Sequence, residues 1–155
     1  MPRRLRVASG GYAYHVLNRA AGRARIFRTP RDFGAFEEVL TQAKQRVPVR
    51  LLAWCVMPDH VHVLVTPLHD WSLERILHSW KSFTANEVNR MLHRKGTFWQ
   101  PESFDHLVRS NEAFESFVAY IEANPVAAGL CSDPSAWQFS SARHRCGVGF
   151  QPATS

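Results

Sequence analysis

Apolar positions along this chain switch between a two-residue and a three-to-four-residue spacing, and the switching lays out a succession of strands and helices. Residues 12–18, Tyr-Ala-Tyr-His-Val-Leu-Asn, are aromatic and β-branched at their centre and read as a strand. Thr29-Pro30-Arg31-Asp32 marks a helix start, with Thr29 as N-cap and Pro30 in the first turn. Phe33, Phe36, Val39, Leu40 and Ala43 follow at helical spacing, and Pro48 ends that helix. Residues 49–57 form a second apolar run. A Pro58-Asp59 corner then leads into a third strand at His60, so the two pair as an antiparallel hairpin. Ser72 caps a long helix whose face carries Leu73, Ile76, Leu77, Trp80, Thr84, Val88 and Met91, with Gly96 just beyond its basic end. After an aromatic loop at 97–101, residues 104–109 read as a fourth strand. Asn111 caps a further helix running to about Asn124, where Pro125 stops it. Residues 126–146 read as a short helix and loops, and 147–155 as a flexible tail.

The order βαββαβα suits an α+β, ferredoxin-like antiparallel sheet with helices on both faces. The first two helices would cover the face to which Val61, Val63 and Val65 point, and the last helix would lie on the other. With 155 residues and no linker, repeat or low-complexity stretch, one domain over 1–146 is expected.

Charge narrows the partner. Nineteen Lys plus Arg against thirteen Asp plus Glu leave a net +6. Eight arginines (Arg3, Arg4, Arg6, Arg19, Arg23, Arg25, Arg28, Arg31) precede the first acid, Asp32. Arginine forks bind phosphate oxygens bidentately, so nucleic acid is the leading partner; a basic surface kept for solubility is the alternative. Cys55, Cys131 and Cys146 are too few and too scattered for a disulfide framework or a zinc knuckle. With no leader-like stretch and no apolar run long enough for a membrane span, a cytoplasmic protein that does not enter membranes is expected.

The candidate chemistry sits in the third strand. In Pro58-Asp59-His60-Val61-His62-Val63 the two histidines lie two residues apart, so on a strand both imidazoles face the same way. They make half a metal site, or else one His caps the strand while the other is an ordinary half-buried side chain. In the last helix Phe114, Phe117, Val118 and Ile121 form an apolar stripe, with Tyr120 and Asn124 one turn apart on its flank. Docked on the second face, that flank leans toward the histidines. A phenol is a weak nucleophile at neutral pH, but beside a divalent cation it can attack a polarised phosphoryl group. Taken alone, Tyr120 reads first as an amphipathic boundary residue with its hydroxyl in solvent, and Asn124 as a helix-end residue. Trp99 is either a base-stacking contact or a core side chain. His106 is a neighbour of the site or structural, and His15, His69, His78, His93 and His144 show no partner pattern.

Taken in order, several strings resemble one family. They are Gly11-Tyr12-Ala13-Tyr14-His15-Val16, Arg25-Ile26-Phe27, Met57-Pro58-Asp59-His60-Val61-His62, Phe98-Trp99-Gln100-Pro101, Asp105-His106, Tyr120-Ile121-Glu122-Ala123-Asn124-Pro125 and Trp137-Gln138-Phe139-Ser140-Ser141. Together they are similar to the HUH-type single-tyrosine transposases, and most of all to the REP-associated tyrosine transposases. The resemblance implies that His60 and His62 are metal ligands and that Tyr120 is the nucleophile. It also implies that Asn124 supplies a third ligand, where related insertion-sequence enzymes usually carry Gln. It further implies Mg²⁺ or Mn²⁺ as cofactor, a 5′-phosphotyrosine intermediate, and single-stranded or hairpin DNA as substrate. Arg3, Arg4, Arg6, Arg19, Arg23, Arg25 and Trp99 are the DNA contacts expected, and a monomer is favoured over a homodimer.

Two rival readings remain. A non-catalytic module holding single-stranded nucleic acid explains the charge and the fold but gives the histidine pair and Tyr120 no purpose. A histidine-triad nucleotide hydrolase would need a third His where this chain has Leu64.

Overall fold

The computed structural model describes residues 12–146. Arg3, Arg4 and Arg6, and the expected tail at 147–155, lie outside the described residues. β1 (Ala13–Arg19) leads through a short turn to α1 (Pro30–Arg46), followed by β2 (Val49–Met57), β3 (His60–Pro67), α2 (Leu73–Met91), β4 (Phe104–Val108), α3 (Asn111–Ala127) and α4 (Ser141–Cys146). The strands form one antiparallel sheet in the order β2-β3-β1-β4, the order that a ferredoxin-like chain path produces. The α+β class with helices on both faces is as the sequence implies.

Local chemistry explains the helix starts. Thr29 caps α1 in a full capping box with Asp32, whose carboxylate accepts from the Thr29 and Arg28 amides. Ser72 caps α2 by accepting from the Arg75 amide. α3 departs from the reading above at both ends. Its cap is Ser110, whose hydroxyl accepts from the Ala113 amide at 3.0 Å, and Asn111 is already helical. The helix also continues through Pro125 to Ala127. A proline there forfeits the hydrogen bond to the Ile121 carbonyl, but its ring is buried, and the Ala128 and Leu130 amides close the last turn on Asn124 and Pro125.

The two faces of the sheet are covered unequally. Tyr14, Val16, Val56, Val61, Val63 and Val65 point to one face, where they pack against Phe33, Phe36, Val39 and Leu40 of α1 and Leu73, Ile76, Trp80 and Val88 of α2. On the other face a smaller cluster, Ala13, Ala53, Cys55, Met57, Leu64 and Val108, meets Val118 and Ile121 of α3. α3 therefore covers only part of that face.

Residues 137–141 border the outer edge of β2. The Val56 amide donates to the Phe139 carbonyl at 2.9 Å, Cys55 bridges Ser140, and the Trp137 indole donates to the Val56 carbonyl at 3.0 Å. The Ser141 hydroxyl accepts from the Trp54 amide at 3.1 Å and lies 2.6 Å from a carboxylate oxygen of the buried Glu122, to which it donates. One serine thus ties the sheet edge to α3.

Candidate active site

Strand alternation puts His60 and His62 on the face opposite the valines. Register then assembles their neighbours: Arg19 stands opposite His60, Leu17 opposite His62, and His15 opposite both Leu64 and His106. The face at this level carries three imidazoles from three strands, His62, His15 and His106. The His60 and His62 rings lie 4.9 Å apart, centre to centre, at 82°.

Each histidine of the pair has one nitrogen engaged. His60 Nδ1 lies 2.6 Å from Asp59 Oδ1 and donates to it. Asp59 is held in turn by Arg23, whose Nε reaches Oδ2 at 3.2 Å. Partial burial raises the Asp59 carboxyl, but the bonds and charges of His60 and Arg23 outweigh it and hold the group below its ordinary value. His62 Nδ1 lies 2.9 Å from His15 Nε2, whereas its Nε2 is buried without a partner. Burial, reinforced by the neighbouring cations, lowers His62 to about 3. Burial, then His106, lowers His15 to about 4. Both rings are neutral at pH 7, the form that ligates metal.

Whether these residues fit a divalent ion is decided by the unused nitrogens. A carboxylate on His60 Nδ1 leaves Nε2 as the free lone pair, an arrangement typical of metal-bound imidazole. The orphaned Nε2 of His62 is a buried nitrogen for which no partner is found among the described residues. The donor set fits. No group of three His, Cys, Asp or Glu side chains suited to a metal is found among the described residues.

α3 brings in the phenol. Its stripe docks Val118 and Ile121 into the second core, and Tyr120, on the flank, sets its ring edge-on to His62 at 5.6 Å and to His15 at 5.9 Å. The Tyr120 side chain is nevertheless half exposed, at 54%. Asn124, half-buried, lies one turn further along the same helix.

The expected DNA contacts divide. Arg19 lies over the exposed ring of Phe104, 4.8 Å from its centre, beside His60. Arg23 is committed to Asp59. Arg25 lines an open groove with Arg28, Arg31, His93 and Arg94, between the segment before α1 and the end of α2. Trp99 is a correction. Its ring is 5% exposed within the α1/α2 core, and its indole donates to Thr84 Oγ1 at 2.9 Å, so no base can stack on it. The aromatic ring open on the histidine face is Phe104, 43% exposed. Sequence reasoning passed over it, although an aromatic residue alternating with His106 on an open strand face is a visible signal. His15 was passed over too, because its partner is 47 residues away.

No helix among the described residues is long and apolar enough to cross a membrane. Over 145 residues the chain is 25% identical to the REP-associated tyrosine transposase of Escherichia coli (strain K12), covering 92% of this chain and 83% of that one. Its fold superposes on a solved structure of a REP-associated tyrosine transposase bound to a REP hairpin with a TM-score of 0.70. That match has 22% sequence identity and covers 94% of this chain and 86% of the other. The family model described as IS200-like transposase matches residues 8–124, a span that holds all four strands, the histidine pair and Tyr120. This chain belongs to the IS200-like transposase family, a family of DNA-transposing enzymes that use a tyrosine nucleophile.

Proposed function

We propose that the chain is a metal-dependent endonuclease and strand transferase for single-stranded DNA at a hairpin, with Tyr120 as its nucleophile. The observation that carries this reading is the juxtaposition of the half-exposed Tyr120 phenol with His62, whose outward nitrogen is buried and unpaired. His60 Nε2 and His62 Nε2 would hold Mg²⁺ or Mn²⁺, with Asn124 as the third ligand. Such an ion, when bound, polarises the scissile phosphate and offsets the charge that grows on it.

The protein's own groups do the rest. Tyr120 releases its phenolic proton to solvent as its oxygen attacks phosphorus and takes the phosphoryl bond, while the P–O3′ bond breaks and the leaving 3′-oxygen takes a proton from solvent to become a free hydroxyl. A 5′-phosphotyrosine link results, and a second strand's 3′-hydroxyl can reverse the step. Because the phenol meets the histidine of its own chain, the site acts in cis and a monomer suffices. The arginine groove of Arg25, Arg28, Arg31 and Arg94 suits the phosphates of a hairpin stem, and Arg19 with Phe104 suits an unpaired base and its phosphate beside the ion. This hairpin assignment draws on the solved relative and on the position of the cations.

The test is a hairpin oligonucleotide with an unpaired flank, labelled on the strand that would stay with the protein, incubated with Mn²⁺ and resolved on a denaturing gel. The unmodified protein should retain label covalently, and Tyr120→Phe should retain none. His60→Ala should lose cleavage while keeping most of its hairpin affinity. If Tyr120→Phe traps label as well as the parent does, the nucleophile is another residue. If His60→Ala loses binding and cleavage alike, the non-catalytic binding module becomes the better reading.

A further inference from the structure

We propose that His15 is a positioning residue that fixes which nitrogen of His62 carries the proton, and so presents His62 Nε2 as a bare lone pair toward the metal. The inference rests on the reading of His60 and His62 as ligands.

The geometry is that of two rings joined edge to edge. The His15 and His62 rings are nearly coplanar, at 12°, with centres 5.2 Å apart and Nε2 of one 2.9 Å from Nδ1 of the other. Those three values together describe an in-plane N–H···N bond. Two neutral imidazoles hold two protons on four nitrogens, and one of them must lie between the rings. If His62 Nδ1 donates, His62 Nε2 is free to ligate and the second proton sits on His15 Nδ1. If His15 Nε2 donates instead, His62 Nε2 keeps its own proton and cannot bind an ion. Both outer nitrogens, His15 Nδ1 and His62 Nε2, are buried without a partner, so in either arrangement the protein alone leaves one as an unpaired N–H and the other as an unpaired lone pair. An ion at His62 Nε2 can take up the lone pair only in the first arrangement. His15 acts for His62 as Asp59 acts for His60: the two ligands are oriented by different kinds of acceptor, one anionic at the strand end and one neutral in the sheet.

Neutral acceptance also explains why the position suits an imidazole. His15 is packed against Phe117 at 5.2 Å and is 6% exposed, a place where a carboxylate would be costly. His106 flanks the same ring at 6.0 Å.

The experiment titrates Mn²⁺ alone, without DNA, into the full-length protein by calorimetry, and reads the ring nitrogens of His62 by ¹⁵N NMR in the metal-free protein. His15→Phe keeps the ring volume and removes the acceptor, so Mn²⁺ affinity should fall about 10- to 100-fold. His15→Gln restores a neutral acceptor and should recover most of that loss. The NMR spectrum of the unmodified protein should show the proton on His62 Nδ1. A proton on His62 Nε2, or His15→Phe binding Mn²⁺ as tightly as the parent, overturns the inference. Should His15→Phe fail to fold, the Gln variant and the unmodified protein's spectrum still decide. His60→Ala separates the two levels: if it leaves Mn²⁺ binding intact, the metal site itself is misplaced, whereas its loss beside an unaffected His15→Phe removes only the role of His15.

Discussion

The two faces of this sheet solve opposite problems. On the α1/α2 face the strand positions pack mainly apolar side chains, and Phe36 and Val39 are wholly buried. On the α3 face, burial has been extended over imidazoles whose outer nitrogens have no partner, and the covering helix stops short of Arg19, His60 and Phe104. One face is built for cohesion, and the other keeps unmet hydrogen-bonding capacity for an occupant. A substitution should therefore separate stability from chemistry according to the face it touches.

The widest separation is expected between Tyr120→Phe and Phe36→Ala. The first should cut cleavage by on the order of a thousandfold or more while moving unfolding free energy by less than about 0.5 kcal/mol, since the hydroxyl lost is half exposed. The second should cost about 3–5 kcal/mol in urea unfolding, with the residual folded protein still forming adduct. Equal behaviour of the two would erase the contrast.

Acidity should divide the faces as well. His15 and His62 titrate in the fold at about 4 and about 3, below their ordinary value of 6.5, so between pH 6.5 and 4 the unfolded chain takes up protons that the fold refuses. Stability is complete above pH 6.5 and falls with acidification, by up to about 1.4 kcal/mol per pH unit for each ring. Glu37, on the α1 side, behaves inversely. Burial raises its carboxyl to about 7 against the opposing hydrogen bond from Trp54, so its contribution is complete below pH 4.5 and is lost between pH 4.5 and 7. Metal-free unfolding followed from pH 4 to 8 should rise from pH 4 to 6.5 and level off above 7, and Glu37→Gln should steepen that rise above pH 4.5. A profile flat between pH 4 and 6.5 would mean that the imidazoles are not held neutral.

Ser141→Ala should cost about 1–3 kcal/mol, because it removes the hydroxyl that accepts from the Trp54 amide and donates to the buried Glu122 carboxylate. Thermal melting measures it, and a cost below a few tenths would show that the edge segment does not hold α3. A change of similar size but confined to binding is expected from Phe104→Ala: weaker binding of a hairpin with an unpaired flank by about 1–3 kcal/mol, and unchanged binding of a flush-ended hairpin. Fluorescence anisotropy with the two oligonucleotides distinguishes them.

Much of this was legible in the chain because the signals are local. Apolar spacing located the strands and helices, Thr29 and Ser72 announced their helices, and the two-residue interval of His60 and His62 fixed a shared face. What escaped depends on distant partners. Trp99 in its loop is open to stacking or to core packing, and only the fold decides: its indole finds Thr84 on α2 and its ring fills the core. Pro125 looks like a stop, yet tertiary burial carries the helix past it. His15 has no nearby ligand-like residue, and only the β1/β3 register brings it to His62. Glu122 carries no local sign of burial, and its partner Ser141 comes from α4, 19 residues on.

The segment bordering β2 carries a consequence for self-association. With the Trp54 and Val56 amides already occupied by Ser141 and Phe139, a neighbouring copy cannot lengthen the sheet there without first peeling that cover away. Fibril-like stacking through this margin is blocked by the protein's own backbone, and the block is anchored to the helix that carries Tyr120.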